Sequence, residues 1–151
     1  MPAGNYDVRV TGDVPIAASV MSRTASSGTT DLTWAPAVPA VDGPAGVAVP
    51  DGIPEATASL MLTASKATKA EVVTVTSSGT HTKTVAVPAD RPAVIDVKGA
   101  SAVWVKPAKG GALHAALTVH GRRDKADLLA TVPLQQTPLS QSTKRLVPAR
   151  G

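Results

Sequence analysis

Between Ala70 and Val119 five short segments follow one another, AEVVTVT, TKTVAV, AVIDVKG, SAVWVKP and ALHAALTV, each alternating apolar with polar side chains over part of its length. They are rich in Val, Ile and Thr and are separated by Gly, Pro, Ser or Asp, the pattern of half-buried β-strands. Parity assigns their faces. Val73 and Val75 oppose Val72, Thr74 and Thr76; Ile95 and Val97 oppose Asp96 and Lys98; Val103 and Val105 oppose Trp104 and Lys106. In the last segment Leu113, Ala115, Leu117 and Val119 take the buried face, and His114, Thr118 and His120 take the polar one. Ser77-Ser78-Gly79-Thr80 is a turn signal that joins the first two segments as a hairpin. Corners follow at Pro88 to Pro92 and at Pro107 to Gly111.

Upstream, residues 5–10 alternate Tyr6, Val8 and Val10 with Asn5, Asp7 and Arg9, which predicts a strand with one buried face. A second strand is expected over 14–21, with Ile16, Ala18 and Val20 inward and Pro15 setting its start at an edge. A polar loop over 22–30 and a short strand over 31–34 come next. From Ala35 to Glu55 five prolines exclude regular helix and favour extended chain with one short edge strand at 47–49. That stretch reads either as a linker between two half-domains or as a loop wrapped over the sheets. Residues 59–64 read as a strand in preference to a brief helix, because Thr, Ser and the β context on both sides outweigh one Leu-Met-Leu run.

The fold expected from this order is all-β, an antiparallel β-sandwich of immunoglobulin-like or jelly-roll-like type with about 8 to 11 short strands. It spans residues 1–134, with sub-units 1–54 and 55–134 as a subdivision, and an extended basic C-terminal segment over 135–151. Residues 4–36 and 99–133 also echo one another: strand, turn, small-residue strand, polar loop, Asp-Leu, then Pro. Two related β units, or two hairpins built under the same constraints, would both produce such an echo.

Composition changes this picture in one respect. The chain is 43% hydrophobic and 17% charged, so it can build a core, but it has no Phe, one Tyr and two Trp. Ala, Val, Leu and Ile must fill the interior, which requires sheets that approach closely. The formal charge of +4 is uneven. Residues 1–54 carry two arginines against five aspartates, net −3, whereas residues 55–151 carry thirteen basic groups against six acids, net +7. The basic groups are scattered apart from Arg122-Arg123-Asp124-Lys125 and Lys144-Arg145, and stacking aromatics are few, which argues against a nucleic-acid partner.

Candidate chemistry is sparse. The chain has no cysteine, so thiolate zinc sites and disulfides are excluded. His114 and His120 share a strand face, but six residues separate them by about 20 Å, too far for one ion. The Ser-Gly clusters at Ser26-Ser27-Gly28 and Ser77-Ser78-Gly79 are turns with no nucleophile elbow, and the two glutamates, Glu55 and Glu71, suggest no glycosidase pair. No enzyme activity, cofactor or metal is expected. Trp34, Trp104, His114 and His120 remain as candidates for surface binding. By parity Trp104 projects opposite Val103 and Val105, onto an outer sheet face that could serve as a stacking platform; the plainer reading has it covering an Ala-rich part of the core or a second layer.

No apolar run reaches the length of about 20 residues that a membrane span needs, and Asp7, Arg9 and Asp13 interrupt any signal-peptide core. The chain reads as soluble as it stands, and a mature fragment of an exported protein fits the same sequence.

The runs YDVRVTGDVPIAASV, DLTWAP, AVPADRPAVIDVKGASAVWV and ALHAALTV resemble the C-terminal part of an uncharacterised family of exported actinobacterial proteins. Members of that family have an N-terminal membrane anchor and a β-rich extracytoplasmic region without assigned activity. The resemblance covers most of residues 4–134. It implies an envelope location and carries over no functional residues. The expectation is therefore a non-catalytic extracytoplasmic β-sandwich module that binds protein or glycan or serves a structural role. A virion structural subunit, of a tail or capsid decoration, is the alternative, and a carbohydrate-active module comes third.

Overall fold

The computed structural model describes residues 5–26, 29–51, 55–109, 112–123 and 126–136. Among them are twelve strands and no helix: β1 (Ser19–Ser26), β2 (Thr29–Pro36), β3 (Ala40–Val41), β4 (Ala45–Ala48), β5 (Thr57–Thr63), β6 (Thr68–Thr76), β7 (Gly79–Val87), β8 (Ala93–Asp96), β9 (Ala100–Pro107), β10 (Leu113–Arg123), β11 (Ala126–Pro133) and β12 (Gln135–Gln136). Two antiparallel sheets form a β-sandwich. One has the order β11-β10-β5-β8, with β3 paired to β10; the other has the order β12-β4-β9-β6-β7. We call them the β10 sheet and the β9 sheet. Strands β1 and β2 form a separate hairpin whose second strand lies alongside β11.

Most connections cross from one sheet to the other. Only β6–β7 and β10–β11 are hairpins within a sandwich sheet, so neither sheet can form without the chain of its partner. The strand ends follow local rules. Pro36, Pro107 and Pro133 close β2, β9 and β11, where the missing N–H costs no ladder bond. Between β8 and β9 the Ala100 N–H donates to the Val97 carbonyl at 3.1 Å, and Gly99 takes φ +76, which a glycine adopts without strain.

Between the sheets lies a core made of Ala, Val and Leu alone. Leu60 and Leu62 of β5 and Leu113 and Leu117 of β10 meet Val72 of β6 and Val103 and Val105 of β9. The parity expected for β6, β9 and β10 holds through these positions. A bulge opposite Val75/Thr76 inserts Ser101 into β9, which is how both Ala100 and Val103 reach the buried side. The Ser101 hydroxyl donates to the Val75 carbonyl at 3.2 Å and fixes the bulge. Strand β7 is the outer edge of its sheet. Lys83 and His81 pair with Val72 and Thr74 and so lie on the side of β7 that faces the core layer, an arrangement that discourages edge-to-edge association.

Three expectations need correction. Residues 5–18, expected to hold a strand over 5–10 and the start of another at 14, carry none; β1 begins at Ser19. Alternation supplies one apolar face, but a strand also needs a neighbour to complete its ladder. The Arg9 guanidinium ties this segment down by donating to Asp90 at 3.0 Å. The polar loop over 22–30 is mostly strand, since β1 runs to Ser26 and β2 starts at Thr29. The short edge strand expected at 47–49 is β4, which lies between β9 and β12 because Pro44 and Pro50 flank the pairing residues without interrupting them. The C-terminal segment contributes β12 at 135–136; its remainder, 137–151 with Lys144-Arg145, lies outside the described residues, as do Asp124 and Lys125.

Truncating a fully buried side chain of β10 should be costly because the all-aliphatic core has no large neighbour to collapse into the space. Leu117→Ala is expected to lower unfolding stability by about 2–5 kcal/mol, and Leu128→Ala, at a position 37% exposed on β11, by distinctly less. Urea denaturation of both variants checks this ordering.

Candidate functional site

The outer face of the β9 sheet carries one large aromatic group. The strand register aligns Gln135, Gly46, Trp104, Val73 and Thr82 in a row across five strands, all projecting away from the core. Trp104 is 38% exposed, while its neighbours Val103 and Val105 are buried. Its indole lies over Gly46. A Cβ built at Gly46 would stand 2.5 Å from both Cδ2 and Cε3 of the ring and 2.9 Å from Cε2. Near-equal distances to atoms along the fused edge place that point over the ring face, so the indole is stacked flat on the β4 backbone. Glycine is required there by space: no side chain fits beneath the ring.

One ring face is therefore occupied by backbone, and the exposed area belongs to the rest of the ring. Around it the outer face carries Val73 of β6 next to the ring and otherwise several polar side chains. Thr80, Thr82 and Thr84 project from β7, and Glu71 and Lys106 stand opposite one another beside the row. A rigid, flat, π-rich surface bordered by hydroxyls and one charge of each sign can take a ring with an apolar face and polar edges.

The other three candidates lie elsewhere. Trp34, 61% exposed, stands opposite Met21 on the β1–β2 hairpin. His114 and His120 are on the outer face of the β10 sheet, on the opposite side of the sandwich from Trp104. His114 is half-buried, with Nδ1 2.8 Å from the Val38 carbonyl; only an N–H can donate to that oxygen, so Nδ1 carries the proton. Its role is to hold the Pro-rich segment against β10 just before β3 pairs there. His120 is exposed at the far end of the β5 ladder, where its backbone carbonyl accepts from the Thr57 hydroxyl at 3.4 Å. Among the described residues no three His, Cys, Asp or Glu side chains gather as a metal site.

Gly46 was invisible to sequence reasoning. It sits among prolines in a stretch read as linker or loop, and only the pairing of β4 with β9 brings it under Trp104.

A family model described as a family of unknown function, DUF5719, matches residues 1–108. The chain belongs to this family. The DUF5719 match contains Gly46, Trp104, Val73 and the β7 threonines, and it stops short of β10. No curated protein and no solved structure matches the chain.

Gly46→Ala tests the stacking. In a Trp34→Phe background, where Trp104 alone reports, the added methyl should lift the indole into water, shift its emission to the red and lower stability by about 1–3 kcal/mol. Unchanged emission would mean that the ring does not rest on this glycine.

Proposed function

We propose that this DUF5719 chain is a non-catalytic binding module of the cell envelope that takes a glycan on the outer face of its β9 sheet, with Trp104 as the stacking residue. The observation that carries the reading is the indole lying flat on Gly46 with exposed surface remaining. A pyranose ring has the matching shape, since its C–H face suits the negative π-face and its hydroxyls reach the threonine row and Gln135. One platform with a few hydrogen bonds gives weak affinity, about −4 kcal/mol or roughly millimolar Kd. Weak single sites of this kind act through repetition along a polymer.

The location rests on the resemblance of residues 4–134 to exported, membrane-anchored actinobacterial proteins. In that setting the module would stand outside the membrane, where polysaccharide is the abundant polymer. His114 is engaged in holding the Pro-rich segment and takes no part in recognition.

The test is a titration with neutral and N-acetylated oligosaccharides, followed by NMR at the Trp104 indole N–H. Shifts at that signal and its neighbours on β4, β6 and β7 are expected, with binding lost in Trp104→Ala and kept in Trp34→Phe. Binding that survives Trp104→Ala would contradict the reading. A defined ring or trimer in solution with no response to any glycan would favour a virion structural subunit in its place.

A further inference from the structure

The hairpin β1–β2 repeats β10–β11 pair for pair. Ser19 faces Pro36 as Ala116 faces Pro133, Val20 faces Ala35 as Leu117 faces Val132, and the correspondence continues without slip to Ser26–Thr29 and Arg123–Ala126. All eight pairs stand at a constant offset of 97 residues. The bond that closes each hairpin repeats as well: the Ala37 N–H donates to the Ala18 carbonyl at 3.2 Å, and the Leu134 N–H donates to the Ala115 carbonyl at 2.9 Å, again 97 apart. The sandwich itself, from the start of β3 at 40 to the end of β12 at 136, is also 97 residues long. A hairpin that recurs at the length of one whole domain is the mark of a tandem repeat.

Side-chain pattern agrees with the register over the first part of the strand, while Ser22 stands at the position of buried Val119. At the same offset Ile16, Ala18 and Val20 correspond to Leu113, Ala115 and Leu117, and two residues closer Val8 and Val10 correspond to Val103 and Val105. The five in β9 and β10 are buried within 1% of complete burial, whereas Val8, Val10, Ile16 and Val20 are 41–56% exposed. Apolar residues spaced as core residues but left in water point to a missing partner surface.

We infer that residues 5–39 are the last strands of a preceding sandwich unit of the same kind, and that Val8, Val10, Ile16 and Val20 are core residues of that unit. Its other strands, the equivalents of β3 to β8, are encoded upstream in the same reading frame and cover this apolar face. Because β2 already lies alongside β11, the two units meet through their final hairpins. The DUF5719 match runs unbroken across the junction, from the hairpin into the sandwich, as expected if such junctions recur in the family.

The chain is compared with a version extended upstream in its own reading frame by about one repeat less the residues already present, roughly 60 residues. Hydrogen exchange followed by mass spectrometry reads segments 8–10 and 16–22. In the extended chain their exchange should slow at least 100-fold. Val20→Asp should abolish that protection while leaving exchange across β5, β6 and β9 unchanged. Exchange at 8–22 that stays as fast as in the shorter chain would overturn the inference, as would a reading frame that encodes no upstream strands. Protection that appears in the unextended chain only with dimer formation would overturn it too, since a second copy would then be the covering partner.

Discussion

The apolar face of β10 is the constraint on which the rest of the sandwich depends. Leu113, Ala115, Leu117 and Val119 are buried in a row, β5 occupies one edge of the strand, and β3 and β11 share the other. Without a phenylalanine the chain cannot bridge a wide gap between sheets, so the core works only if Leu and Val side chains from both sheets touch directly. That need explains why chain crossings outnumber hairpins. Each crossing ties one sheet to the other at short range and keeps the thin core closed. It also means that the part matched by the family model, which ends before β10, is not by itself a complete sandwich.

With aliphatic side chains filling the interior, the aromatic residues are released to the outside. Trp104 rests on the β4 backbone, in the same row as Thr82 of β7. The opposite outer face is arranged differently. There His114 fastens the Pro-rich segment, and Thr118 reaches the Met61 sulfur at 3.4 Å, so side chains on that face serve local order.

Strands β5 to β10 were legible in the sequence because their β-branched, alternating runs are bounded by turn residues. The sandwich class followed from their number and spacing. Other features depended on contacts between distant parts of the chain. Residues 5–10 alternate as a strand does, but among the described residues no strand pairs with them in a ladder. Strands β3 and β12 have two residues each, too few for a period. The bulge at Ser101 reverses parity at one end of β9, and no local signal marks it. At the candidate site Trp104 could be placed on an outer face by parity, whereas Gly46, 58 positions earlier in the numbering, acquires meaning only through strand pairing. The echo between 4–36 and 99–133 was visible as an order of elements. Its regularity emerged from the hydrogen-bond register, which is conserved between the hairpins even where side chains differ.

With most connections crossing between the sheets, β3 to β12 form one cooperative unit closed by β10. Native-state hydrogen exchange measured residue by residue in low denaturant addresses it most directly. Amides in the middle of β10, from Ala115 to Val119, should exchange only through global unfolding, with the same opening free energy and denaturant dependence as those of Val72 and Val103 in the facing sheet. If β10 opened at a markedly lower free energy while β6 and β9 stayed protected, the two sheets would be separable and β10 would not close a single unit.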